Sequence, residues 1–157
     1  MNPNQNWNAN NMQRFLTKWQ TILRLNDWDI SLQTVEKQWR KTGDIKIDMC
    51  DKTAILLINT FNPKQENLEM LIIHELLHLK LYGMDQMIEN YITALHGSQE
   101  TPAKEIAYSD FMVLLESTVH DLSKAFLSQS GEDKNIPLGR LQLEVDEETG
   151  NSPPSLS

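Results

Sequence analysis

The chain has 157 residues and a single cysteine, Cys50. No intrachain disulfide can form, so a disulfide scaffold is excluded. One thiolate is also too few for a cysteine-based zinc ribbon. Basic residues are scarce beside acidic ones: 14 Lys and Arg stand against 22 Asp and Glu, for a formal net charge of -8. That balance disfavours nucleic acid and anionic membranes as partners, because phosphates select basic surfaces. There is no glycine-rich phosphate loop and no RNP-like motif. The longest apolar stretch, around 68 to 82, is interrupted by His, Glu and Lys and is too short to span a bilayer. The opening MNPNQNWNANNMQ has neither the basic nor the apolar region of a signal peptide. The expectation is a cytoplasmic protein with no membrane or nucleic-acid partner.

What is present reads as one α+β domain over residues 13 to 128. An Asn-rich N-terminal tail (1 to 12) and an acidic C-terminal tail (129 to 157) flank it, and both are expected to be mostly disordered. Phe15, Leu16, Trp19, Ile22 and Leu23 recur at helical spacing and predict a first helix. WDISLQTV, residues 28 to 35, alternates with period two and predicts a strand. IKIDMC and TAILLIN flank Asp51-Lys52 and predict a hairpin. Asn62-Pro63-Lys64-Gln65 has the pattern of a helix start, and Gly83 that of its end. A further helical pattern covers 85 to 95. Another opens at Thr101-Pro102 and reaches about Leu127, with Phe111, Leu114, Leu115, Val119, Leu122 and Phe126 as its apolar stripe. The predicted order is an N-terminal helix, a small three-stranded sheet, the helix carrying LIIHELLHLK, and two further helices. In the tail, Leu141, Leu143 and Val145 alternate. They would suit a strand added to a sheet edge or a segment in a groove, although an unstructured tail is the favoured reading.

LIIHELLHLK, residues 71 to 80, sets His74, Glu75 and His78 among leucines and isoleucines. Burying an unpaired polar group costs a few kcal/mol and an isolated charge costs more. Residues i and i+4 share a helix face, so both imidazoles point to one place. Neutral imidazole is the commonest protein ligand for zinc. Glu75 lies about 100° round the helix, within reach of a water on such a metal. That is the logic of H-E-x-x-H: zinc lowers the pKa of its water to roughly 7 and the glutamate takes the proton. A chance match occurs in on the order of one chain of this length in a few hundred. Most such matches fall on polar segments, whereas this helix is apolar almost all round.

The extended form H-E-x-x-H-x-x-G-x-x-H is absent, because Leu81 stands in place of its glycine and Met84 in place of its last histidine. Among downstream carboxylates, Glu116 is favoured as third ligand because it lies at the border of an apolar stripe, with Glu105 and Glu89 behind it. The plain alternative is a border glutamate paired with a lysine.

A buried HELLH helix after an α-β-β-β start, with a glutamate on a later helix, resembles the gluzincin branch of zinc metallopeptidases. It is most similar to the minigluzincins and to small HExxH proteins of phages and prophages. The resemblance spans residues 13 to 128. It implies zinc held by His74, His78 and Glu116, Glu75 as general base, and a peptide or protein substrate lying along a strand corresponding to TAILLIN. Many gluzincins carry E-x-x-x-D, whereas here His120 stands four residues after Glu116. His120 is assigned a catalytic part, orienting a zinc ligand or stabilising the oxyanion. The implied function is zinc-dependent peptide-bond hydrolysis, with self-inhibition by the C-terminal tail as a further expectation. The alternative is a zinc-containing, phage-type regulatory or binding protein with vestigial catalysis.

Overall fold

A computed structural model describes residues 6 to 150. The first five residues of the predicted N-terminal tail and the closing NSPPSLS lie outside them. The order is α1 (Ala9–Ile22), β1 (Asp29–Val35), β2 (Gly43–Asp48), β3 (Thr53–Asn59), α2 (Leu68–His96), α3 (Pro102–Ser130) and α4 (Arg140–Thr149). The α+β architecture is as the sequence predicts, with one helix before a three-stranded sheet and three after it.

α1 starts earlier than its apolar pattern, because the Asn8 side chain accepts a hydrogen bond from the Asn11 backbone at 2.9 Å and caps it. Its inner face buries Met12, Phe15, Leu16 and Trp19. β2 and β3 form the predicted hairpin, with Lys52 at φ 51° in its turn. β1 pairs with β3 in parallel, so the sheet order is β1-β3-β2. Leu32, Leu56 and Ile45 stand abreast across the three strands, and Leu56 is fully buried. β3 is therefore the central strand, with ladder partners on both sides. TAILLIN cannot receive a peptide; the edge strands are β1 and β2.

The helix expected from Pro63 begins instead at Leu68. Asn62 is engaged elsewhere: its side-chain oxygen accepts from Asn59 Nδ2 at 2.7 Å and from the Trp39 backbone at 3.2 Å. Asn67 is the cap, accepting from the Met70 backbone at 2.9 Å. The helix does not stop at Gly83. It runs 29 residues to His96 and ends at Gly97, whose φ of 81° suits glycine. A mid-helix glycine costs about 1 kcal/mol relative to alanine, and α3, which returns alongside, outweighs it. The two predicted helices, to Tyr82 and from Asp85, are thus one.

α3 buries Val119, Ser123 and Leu127, with Leu115 and Phe126 packed against the core. Leu114, expected in the stripe, is 66% exposed, so the buried face lies about one residue further round.

The segment read as a tail is attached to the body. Glu69, 1% exposed, accepts from Lys18 Nζ at 2.7 Å, Trp19 Nε1 at 2.7 Å and the Glu132 backbone at 2.8 Å. Asn67 donates to the carbonyls of Asp133 at 2.8 Å and Asn135 at 3.0 Å. Beyond these anchors Leu141, Leu143 and Val145 lie on a helix, α4, and not on a strand. No helix among the described residues is long and apolar enough to cross a membrane.

Candidate metal centre

α2 and α3 build the site together. His74 and His78 lie one turn apart on α2, and their Nε2 atoms are 3.2 Å apart. Glu116 of α3 meets both: its Oε2 is 3.5 Å from His74 Nε2 and its Oε1 is 3.2 Å from His78 Nε2. Ligands of one tetrahedral zinc at about 2.0–2.1 Å stand roughly 3.3–3.4 Å from each other. The three side chains therefore fit a shared ion, and each offers a ligand atom within 4.8 Å of the others. The fit also suits the chemistry of the donor set, two imidazoles and a carboxylate with a further position left for water or substrate. Of the three carboxylates considered for third place, Glu116 is the one brought to the histidines. Glu105 is exposed in the first turn of α3, and Glu89 hydrogen-bonds Gln86 and Tyr108 instead.

The metal-free electrostatics follow from this contact. Hydrogen bonds from His74 and His78 hold the Glu116 carboxyl well below the ordinary carboxylate range, although it is half exposed. Burial works against a charged His78, but the hydrogen bond and charge of Glu116 outweigh it and the pKa is raised. The set behaves as a cation-ready anion held between two imidazoles.

Glu75 points to the cleft that borders this triad. It is 7% exposed and hydrogen-bonds to no protein group among the described residues. Burial raises its pKa; the charges of His74 and His78 oppose the rise without cancelling it, and Asp44 and Glu116 add to it. Room for it depends on Gly43 at the start of β2. A Cβ at Gly43 would stand 3.1 Å from Glu75 Oε1 and 2.8 Å from Leu71 Cδ1. The cleft runs between β2 and the α2–α3 pair, with Gly43, Ile45 and Ile47 on one wall and His74, His78 and Glu116 on the other.

His120 is brought beside the site but not into the cleft. Its ring lies 6.3 Å from that of His74, edge to face, and its side chain is exposed. Burial and the charge of Lys124 lower its pKa. By sequence alone Tyr82 reads as a helix-end tyrosine with a packed ring and a wet hydroxyl. In the structure it lines the cleft, and its hydroxyl bonds to no protein group among the described residues. Its signal was the spacing His74, His78, Tyr82, two successive steps of four along one helix face. Asp85, one further turn on, also lines the cleft, with its carboxyl pKa raised by burial and one oxygen lacking a hydrogen-bond partner.

The described part of the C-terminal segment borders the other end of α2, around Asn67 and Leu68. None of it lines the cleft, so the strand pairing considered for Leu141, Leu143 and Val145 is absent among the described residues. The chain matches no family model and no curated protein.

Proposed function

We propose that the chain is a minimal zinc-dependent peptidase in which His74, His78 and Glu116 hold the ion and Glu75 is the general base. The observation that carries this reading is the triangle of donor atoms, with edges of 3.2, 3.2 and 3.5 Å, beside a buried carboxylate that has no protein partner. Zinc, when bound, supplies Lewis acidity that polarises a carbonyl and lowers the pKa of a water to roughly 7. Glu75 supplies the proton acceptor. A structural site has no use for such a group. β2 supplies the docking edge. Its outer side pairs with no strand among the described residues, so an extended peptide can add to it by main-chain hydrogen bonds. Tyr82 supplies a free hydroxyl for developing negative charge. Lys41, a cationic side chain that also lines the cleft, is held at 3.0 Å by Asp44.

The reading is tested by incubating zinc-loaded protein with a quenched-fluorescence peptide library, for the natural chain and for Glu75→Gln. Cleavage by the first and a loss of about 10²–10⁴-fold in the second is expected, with zinc content unchanged. Equal cleavage by both would exclude Glu75 as base. No cleavage by either, with zinc bound, would favour the binding protein over the enzyme.

A further inference from the structure

The second half of α2 carries a surface that the metal site does not use. Gly83, Met84, Met87, Asn90, Tyr91, Ala94 and Leu95 are all exposed and all uncharged. Their spacing of three and four places them on one helix face about 18 Å long. Its large members are bare: Met84 is 61% exposed, Met87 52%, Tyr91 61% and Leu95 79%. The face begins further back with Ile73 and Leu77, at 0% and 3%, so it is covered over the body of the protein and runs uncovered beyond it.

We propose that this face is a self-association surface on which a second copy of the chain docks, α2 against α2. Charge is the first argument. The chain carries a net -8, yet the only acidic residues of α2 after Gly83 are Asp85 and Glu89. Asp85 lines the cleft and Glu89 turns to Tyr108 of α3, so neither lies on this face. Two copies meeting here bring no like charges together, which is not true of an acidic surface at large. The same acidity, with Lys80 at the near end of the face as its one cation, disfavours an anionic membrane as the occupant.

Area is the second argument. Covering the face on both copies removes about 1,300 Å² from water, at the lower end of specific interfaces. Left open, the bare parts of Met84, Met87, Tyr91 and Leu95 make a patch of roughly 500 Å² per chain, as large as the biggest that monomers usually expose. Symmetry is the third. A two-fold axis between Met87 and Tyr91 runs the helices antiparallel and sets Met84 of each copy against Leu95 of the other, an isologous contact that closes at two. Ala94 leaves the backbones room to approach. The face stands about 100–180° round α2 from His78, so the cleft stays open in the dimer and the proposal does not rest on the metal site.

Sedimentation velocity on the full chain, from about 1 to 100 µM, tests this in the range that an interface of this size covers. A concentration-dependent shift toward twice the 18.1 kDa of the chain is expected. Met87→Glu with Leu95→Glu should raise the dimer dissociation constant at least about tenfold, with unchanged circular dichroism and zinc content. Each single variant should show a smaller shift in the same direction, which keeps the test decisive if the double variant folds poorly. A natural chain that stays monomeric at the highest concentration would overturn the proposal and leave the face to a different partner. So would a dimer that the variants do not weaken.

Discussion

The two halves of α2 both carry many apolar residues and have opposite fates. From Leu68 to Leu79 the helix is buried almost all round; α1 and Glu132 meet its Glu69, Glu116 of α3 meets His74 and His78, and Glu75 faces the cleft. From Gly83 to His96 it has α3 on one side and an uncovered apolar face on another. Apolar residues alone therefore do not say whether a helix face is core or surface. What distinguishes the first half is its polar residues, which are tolerable inside only with specific partners: Glu69 has three donors, and His74 and His78 have Glu116. The second half needs no such partners, and its charges point away from the bare face.

The contrast can be broken most severely at the histidines. His78→Ala should abolish stoichiometric zinc binding, measured by native mass spectrometry, because it leaves one imidazole and one half-exposed carboxylate. Leu76→Ala, in the buried half, should lower stability by about 2–5 kcal/mol in urea unfolding. Leu95→Ala, in the bare half, should stay within about 0.5 kcal/mol at concentrations where the chain is monomeric. Comparable losses at both positions would remove the distinction between the halves.

Acidification sharpens the same comparison. In the metal-free protein the His78 pKa is raised, so its pairing with Glu116 contributes stability that is full below the unfolded value of about 6.5 and is lost as pH rises through the folded one. Zinc requires neutral imidazoles, so it works in the opposite sense. Occupancy should fall as pH drops from about 8 to 5, with proton release on binding seen by calorimetry in buffers of different ionisation enthalpy. A smaller effect is expected at the cleft wall. Gly43→Ala should reduce peptide cleavage by about tenfold and leave zinc content intact, because its Cβ would press on Leu71 and Glu75. Tyr82→Phe should lower kcat with little change in KM, and His120→Phe should lower it less, since only Tyr82 lines the cleft.

Much of this arrangement was legible in the sequence because it is local. The hairpin around Asp51-Lys52, the strand WDISLQTV and the pairing of His74 with His78 follow from periods of two and four residues within a few turns. Glu116 was legible less directly, through a carboxylate at the edge of an apolar stripe. What failed depended on distant contacts. Gly83 looks like a helix end until α3 is seen to hold the helix on both sides of it. Asn62 looks like a cap until Asn59 and Trp39 are seen to occupy it. TAILLIN looks like an edge strand until β1 is found pairing with its other side. The anchoring of the segment after α3 needed Glu69, a buried glutamate whose three donors come from α1 and from Glu132, 63 positions later.

The central claim is that His74, His78 and Glu116 form one metal site. Its most direct test is zinc content by inductively coupled plasma mass spectrometry, on the natural chain and on Glu116→Ala prepared side by side. About one zinc per chain in the first, lost or sharply reduced in the second with the fold intact, is the expected result. Full zinc in both would place the third ligand elsewhere. A natural chain that takes up no zinc even when it is offered would contradict the account, leaving the histidines as core residues satisfied by Glu116.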